Sequence, residues 1–339
     1  MTSQWNPLND MPSLRGKVVV VTGGNSDIGR ETVRLLAWKG AKVYFTTRSE
    51  TKSIETQKRI QDVHPEIDPD NLQWMVMDAT DLRSIFSVAD KIKEKEKKVD
   101  ILFHNAAAGT TSTELVGPGW EIHMAVNLVG PFVLTNRLLP LLKNAAKEKD
   151  SDVRIVTMSS NAQTAMVPTS YKFRFTSSDF LRDPVPSPPW QWRYFGRFLF
   201  GFDTTRYGVS KAANVIFAQE LQQKLDEQSL PILSMAVHPG EVATVGVDSI
   251  NTALVRVIAR LAFMTPEQGA ATPLFAAVAK EVRQDSVKYK GKFVFPGGKI
   301  GVPNPVASDE DQIRGLWQNT TEEVNKQLQA DGLPILGPW

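Results

Sequence analysis

Cysteine is absent from all 339 residues. That removes disulfides, thiolate nucleophiles and cysteine metal sites together. Histidine is scarce: His64, His104, His123 and His238 are the full set, without close metal-ligand spacing. Neither sign of charge dominates, since 39 basic and 37 acidic residues leave a formal charge of +2. No global field therefore favours nucleic acid. The densest charged run, KIKEKEKK from Lys91 to Lys98, alternates in sign and reads as a solvated helix end. Long apolar runs are missing as well, none approaching the ~20 residues that span a bilayer. The opening MTSQWNPLNDMPSLRGK lacks the basic and apolar regions of a secretion signal. The expectation is a cytoplasmic protein with no integral membrane segment.

What is present is an ordinary globular composition, 42% hydrophobic and 22% charged. Short runs rich in Val, Ile and Phe recur at 17–23, 42–48, 72–78, 99–105, 153–159, 231–239 and 291–297. Helical patterns separate several of them, as at Glu31 to Lys39, Leu82 to Lys95 and Val209 to Leu225. Strands apolar on both faces and followed by helices predict a parallel sheet covered on both sides. No repeat or linker divides the chain, so 1–339 reads as one α/β domain. Two segments break the rhythm. Residues 161–206 form an insert in which 11 of the 32 residues from Tyr171 to Phe202 are aromatic, against 9% overall. Residues 245–339 form a tail with a Gly/Pro turn and a final helix, where Ser308 and Asp311 suggest a capping box.

Two local patterns carry chemistry. The first is a glycine turn, Thr22-Gly23-Gly24-Asn25-Ser26-Asp27-Ile28-Gly29, closing a four-valine strand and opening a helix. Amides at a helix N-terminus can receive a pyrophosphate, and glycines let backbone approach it. The second is YGVSK, which sets Tyr207 and Lys211 one helical turn apart, downstream of the pair Ser159 and Ser160. A lysine ammonium beside a phenol favours the phenolate, so Tyr207 is expected to titrate below its usual value near 10. Such a group could trade a proton with an alcohol or ketone. No GxSxG elbow surrounds Ser160, which argues against a serine hydrolase.

With these motifs in this order, the chain resembles the short-chain dehydrogenase/reductase family, whose turn is TGxxxGxG. The resemblance runs through Asp78 in VMDATDL, Asn105 and Ala106 in HNAAAG, Asn127 in AVNLVG, IVTMSS, YGVSK and HPGEVAT. It implies a Rossmann-type sheet of about seven parallel strands in the order 3-2-1-4-5-6-7. It also implies roles. Tyr207 is the general acid/base, Lys211 lowers its pKa and binds the nicotinamide ribose, Ser160 donates to the substrate oxygen, and Asn127 holds a relay water. Gly23, Asn25, Ser26, Asp27, Ile28, Gly29, Arg48, Asp78, Asn105, Ala106, Pro239, Gly240, Val242 and Thr244, with Tyr207 and Lys211, would surround the cofactor. The insert and the FPGGKIGVPNP tail look most like the branch of retinol dehydrogenases, WW-domain oxidoreductases and fungal relatives.

The chain departs from the pattern in two places. Asp27 stands where the middle glycine belongs, placing a carboxylate at the pyrophosphate site and within reach of capping the helix. Ala107 replaces a further glycine. Cofactor choice rests on Arg48: the second strand ends Thr46, Thr47, Arg48 with no acid, which suits the 2′-phosphate of NADP(H) over NAD(H). The aromatic insert, with Trp190, Trp192, Tyr194, Phe195, Phe198, Phe200 and Phe202, reads as a lid over a small lipophilic substrate or as a satellite core beneath a loop. The leading expectation is an NADP(H)-dependent oxidoreductase acting on a bulky ketone, aldehyde or alcohol. The alternative is a non-redox protein on the same fold, a cofactor-sensing module or an isomerase or cyclase, because of Asp27. The helices around Asn127 and Tyr207 often pair in the family, leaving room for a homodimer that long tails sometimes block.

Overall fold

Four buried valines, Val18–Val21, form the central strand β1. With no water on either face, their β-branched side chains pack into helices above and below the sheet. The computed structural model describes residues 5–168, 170–187, 202–241 and 264–339. In chain order β1 is followed by α1 (Asp27–Trp38), β2 (Lys42–Thr47), α2 (Glu50–Val63), β3 (Leu72–Val76), α3 (Leu82–Lys95) and β4 (Ile101–His104). Then come α4 (Gly130–Ala146), β5 (Val153–Met158), α5 (Thr204–Glu227), β6 (Ile232–Val237), α6 (Pro266–Val278), β7 (Phe293–Phe295), β8 (Lys299–Ile300) and α7 (Glu310–Ala330).

The sheet runs β3-β2-β1-β4-β5-β6-β7-β8. Its first seven strands are parallel, in the expected order. The eighth, β8, pairs antiparallel with β7 and is an addition to that expectation. It exists because Gly297 and Gly298 take φ values of 76° and 68°, reversing the chain within the Gly/Pro turn. One apolar layer joins Val33, Leu36, Ile60 and Leu274 to one face of the sheet, and the other joins Ile85, Phe132, Phe217 and Leu316 to the opposite face.

One local reading needs correction and two others gain detail. Asp309, not Ser308, caps α7, its carboxylate accepting from the Asp311 and Gln312 amides. In the insert, Phe175 and Phe180 are fully buried, and Phe175 is pinned to α7 through Gln312 and Asn319. The described part of the insert up to residue 187 is thus partly core, while Trp190 to Phe200 lie outside the described residues. Finally, the helical stretch Ile122–Ala146 is long and apolar enough by composition to cross a bilayer, with 83% of its apolar window buried in the protein. Asn127, Asn136 and Arg137 interrupt the run and hide it from a simple count.

Candidate active site

The glycine turn is built by exclusion. A Cβ at Gly29 would overlap the Gly23 carbonyl oxygen, and one at Gly24 would lie 2.7 Å from Phe45. Gly23 has φ +67°, and a Cβ there would sit 2.8 Å from the Ala106 backbone. Asn105, just past β4, fastens the turn: its Nδ2 donates to the Thr22 and Gly23 carbonyls at 3.0 Å each and to Ser26 Oγ at 3.2 Å. Thr22 Oγ1 accepts the Asn105 and Ala106 amides. The result is a tight cradle opening on the N-terminus of α1, the shape a pyrophosphate requires.

Asp27 fits this cradle differently from expectation. Ser26 is the N-cap, its Oγ accepting from the Gly29 amide at 3.2 Å. Asp27 is the first helical residue and is not among the positive-φ positions, so the turn needs no left-handed conformation there. Its Oδ1 lies 3.6 Å from an Arg30 guanidinium nitrogen, an i,i+3 pair at the positive end of the helix dipole. The carboxylate is therefore partly offset by its own helix.

The other candidate cofactor residues follow the ends of their strands. Arg48 is exposed immediately beyond β2. Asp78, exposed beyond β3, turns its carboxylate onto the Thr80 amide and hydroxyl at 2.9 and 2.8 Å. Pro239 and Gly240 follow β6, and Gly240 has φ +97°. Asn25 and Ile28 complete the turn, whereas Val242 and Thr244 lie outside the described residues.

Tyr207 lies in the first turn of α5, which Asp203 caps through the Arg206 amide. Lys211 follows one turn later, its Nζ 5.4 Å from the centre of the Tyr207 ring and donating to the Met158 carbonyl at 2.9 Å. The Ser160 hydroxyl is near enough to the phenol to pull its pKa down. Ser159, at the strand end, instead donates to the Lys211 carbonyl at 2.7 Å. Serine, tyrosine and lysine thus converge where β5 ends and α5 begins.

The pKa expectation is overturned. Burial pushes the Tyr207 phenol up to about 12, the Ser160 hydrogen bond pulling it down and the Glu241 charge pushing it further up. Lys211 is almost wholly buried, and desolvation brings it down to about 7. An ammonium only part-charged near neutral pH depresses its neighbour less than a full cation would. Asn127 is buried against the post-β4 loop. It sits in a π-turn, Ala125–Val129, and its amide is spent within the protein. Oδ1 accepts the Ala108 amide at 2.7 Å, while Nδ2 donates to the Ala108 carbonyl and to Ser210 Oγ. The side chain ties the post-β4 loop to α5.

A family model for short chain dehydrogenases matches residues 17–173. A short chain dehydrogenase/reductase of Colletotrichum higginsianum is 38% identical over 316 residues, 93% of this chain and 77% of the relative. One from Gibberella zeae is 37% identical over 332 residues, 98% of this chain and 89% of the relative. The chain belongs to the short-chain dehydrogenase/reductase family. A solved protein of Mycobacterium paratuberculosis superposes with TM-score 0.67 at 24% identity, covering 94% of this chain and 97% of that one, and shares the fold. These two relatives are fungal members of the family; they do not bear on the retinol dehydrogenase and WW-domain branch.

The family residues have neighbours that the sequence reading did not single out. His238 accepts the Asn161 amide through Nδ1 and lies 3.6 Å from Glu241 through Nε2. The His238 hydrogen bond holds the Glu241 carboxyl below its usual range. His123 and Glu121, both buried, form a 2.6 Å pair beside Tyr207. HPGE and WEIH gave the only signal, since nothing local marks them as meeting the site.

Proposed function

We propose that this family member interconverts a ketone or aldehyde and the corresponding alcohol on a bulky lipophilic substrate, with NADP(H) as cofactor. The observation that carries the reading is the convergence of Ser160, Tyr207 and Lys211 beside the glycine cradle. The nicotinamide, when bound, supplies or accepts the hydride. Ser160 and Tyr207 would hold the oxygen on which charge develops, and Tyr207 would exchange its proton. Lys211 would hold the ribose and, when charged, favour the phenolate. Arg48 beyond β2 supports NADP(H), because a guanidinium can pair bidentately with a 2′-phosphate. An apolar substrate is supported by Phe202, whose ring lies 5.2 Å from that of Tyr207 in an edge-to-face contact.

The Asp27 carboxylate favours one competing reading, a non-redox sensor, isomerase or cyclase on this fold. A fluorescence titration with NADPH and NADH, run on the unmodified protein and on Asp27→Gly, separates the two. The expected result is micromolar NADPH binding by the unmodified chain, weaker NADH binding, and at most about a tenfold gain on restoring glycine, because Arg30 already offsets the charge. Binding that appears only with glycine restored would sink the redox reading.

A further inference from the structure

Glu121 and His123 are ionisable, buried to 2% and 0% exposure, and have no part in the reaction as described so far. A short hairpin, Leu115–Val116 paired with Trp120–Glu121, delivers Glu121 to the start of the helix carrying Asn127. One carboxylate oxygen, Oε2, accepts the His123 and Met124 amides at 3.0 and 3.1 Å. The other, Oε1, lies 2.6 Å from His123 Nδ1. On the far side of the ring, Nε2 lies 3.3 Å from the Thr110 amide, which can only donate. Nε2 must therefore be bare, and the proton sits on Nδ1, facing the carboxylate.

Thr110 links this pair to the catalytic helix. Its carbonyl accepts the amide of Asp203, the N-cap of α5, and the Asp203 carbonyl accepts the amide of Tyr207. The same loop brings Gly109 within van der Waals reach of the Tyr207 ring, where a Cβ would lie 3.9 Å away. The His123 ring itself meets that tyrosine edge-to-face at 6.4 Å. A continuous chain of contacts thus runs from a buried carboxylate to the backbone of the proton donor.

We infer that Glu121 and His123 form a positioning pair for Tyr207: the carboxylate sets the imidazole tautomer, and the imidazole latches the Thr110 loop that seats the start of α5. This rests on the reading of Tyr207 as the proton donor. The pair is expected to act on the proton step more than on cofactor binding, because its hydrogen bonds lead through Thr110 and Asp203 to Tyr207.

Glu121→Gln tests the latch without changing volume. The two backbone amides need the carboxamide oxygen, so its NH2 faces Nδ1 and drives the proton to Nε2, against the Thr110 N–H. His123→Leu removes the latch, whereas His123→Gln offers Thr110 a new acceptor at a similar reach. Turnover of 9,10-phenanthrenequinone, a flat dicarbonyl probe, is measured with NADPH for these three variants and for Tyr207→Phe. NADPH affinity is read separately by fluorescence, and the ring tautomer by nitrogen-15 NMR of His123. The expected result is kcat lowered about 10–100-fold in Glu121→Gln and His123→Leu, with most of it restored in His123→Gln. NADPH affinity should stay within about twofold, and the Nδ1–H signature of the unmodified protein should move to Nε2 in Glu121→Gln. Should His123→Leu fail to fold, the isosteric Glu121→Gln still decides. Full turnover in Glu121→Gln, or an unchanged tautomer, overturns the proposal while loss of activity in Tyr207→Phe leaves the function reading intact. Activity retained in Tyr207→Phe overturns that reading and this one together.

Discussion

Lys211 is a cation held out of water. Its folded value near 7 lies below its ordinary 10.5, so between those values the native state binds fewer protons than the unfolded chain. Stability therefore rises with pH across that window, and the cost of burial is felt in full below pH 7. Replacing Lys211 with Met should raise stability at pH 6 by up to a few kcal/mol, an advantage that shrinks as pH approaches 10.5. The Met158 carbonyl would keep a partner, since Asn214 Nδ2 also donates to it at 2.9 Å. Thermal unfolding at pH 6 and pH 9.5 checks the sign: a Met variant less stable at pH 6 would contradict it. Turnover should be lost in the same variant, a site residue kept at the expense of stability.

At the scale of elements, α7 supports the catalytic helix from behind. Its Trp317 ring meets Phe132 at 4.9 Å, Phe217 of α5 at 6.0 Å and Trp339 at 4.7 Å, with Lys224 of α5 4.9 Å above it. Gly315 lets the helix close on the insert, where a Cβ would come within 2.6 Å of the Phe175 carbonyl. Trp317→Ala should cost about 3–5 kcal/mol, since it empties a site lined by large rings. A lowered urea midpoint with unchanged slope is the expected observation, and a loss under 1 kcal/mol would show that α7 docks by other contacts. In the sequence, Ile313, Leu316, Trp317 and Val324 fall at helical spacing on one apolar face. The sequence could not say that this face meets the first part of the aromatic insert, because contacts 130 or more residues apart leave no periodic trace.

For the molecule as a whole, the tail packs across α4 and α7. Asn136 of α4 exchanges two hydrogen bonds with Gly337, each 2.9 Å, and Asn325 of α7 holds Leu336. Trp339 lies 4.7 Å from Phe132. The tail thus straps α7 over α4 and α5, the helices that the family resemblance offers for a homodimer. We expect a monomer at micromolar concentration by sedimentation velocity. A dimer would show that another face associates. Removing residues 310–339 should expose Phe132, Phe175 and Phe217 together and give an aggregating chain.

The sequence by itself determined the sheet, the cradle and the candidate site residues. Seven strands announce themselves because each is a short apolar run, and Gly23, Gly29, Tyr207 and Lys211 because their spacing in the chain is their spacing in the site. The tertiary structure alone decided their states. Whether Lys211 keeps its proton depends on how much water is left around it, and the Tyr207 phenol answers to Ser160 and Glu241, far from it in sequence. The Asp27 carboxylate sits in ordinary helical backbone beside Arg30, which a motif comparison reads only as a missing glycine. Glu121 and His123 gain meaning only when the chain brings Thr110 against them. Solvation and charge depend on everything that surrounds an atom, and only the folded chain supplies those surroundings.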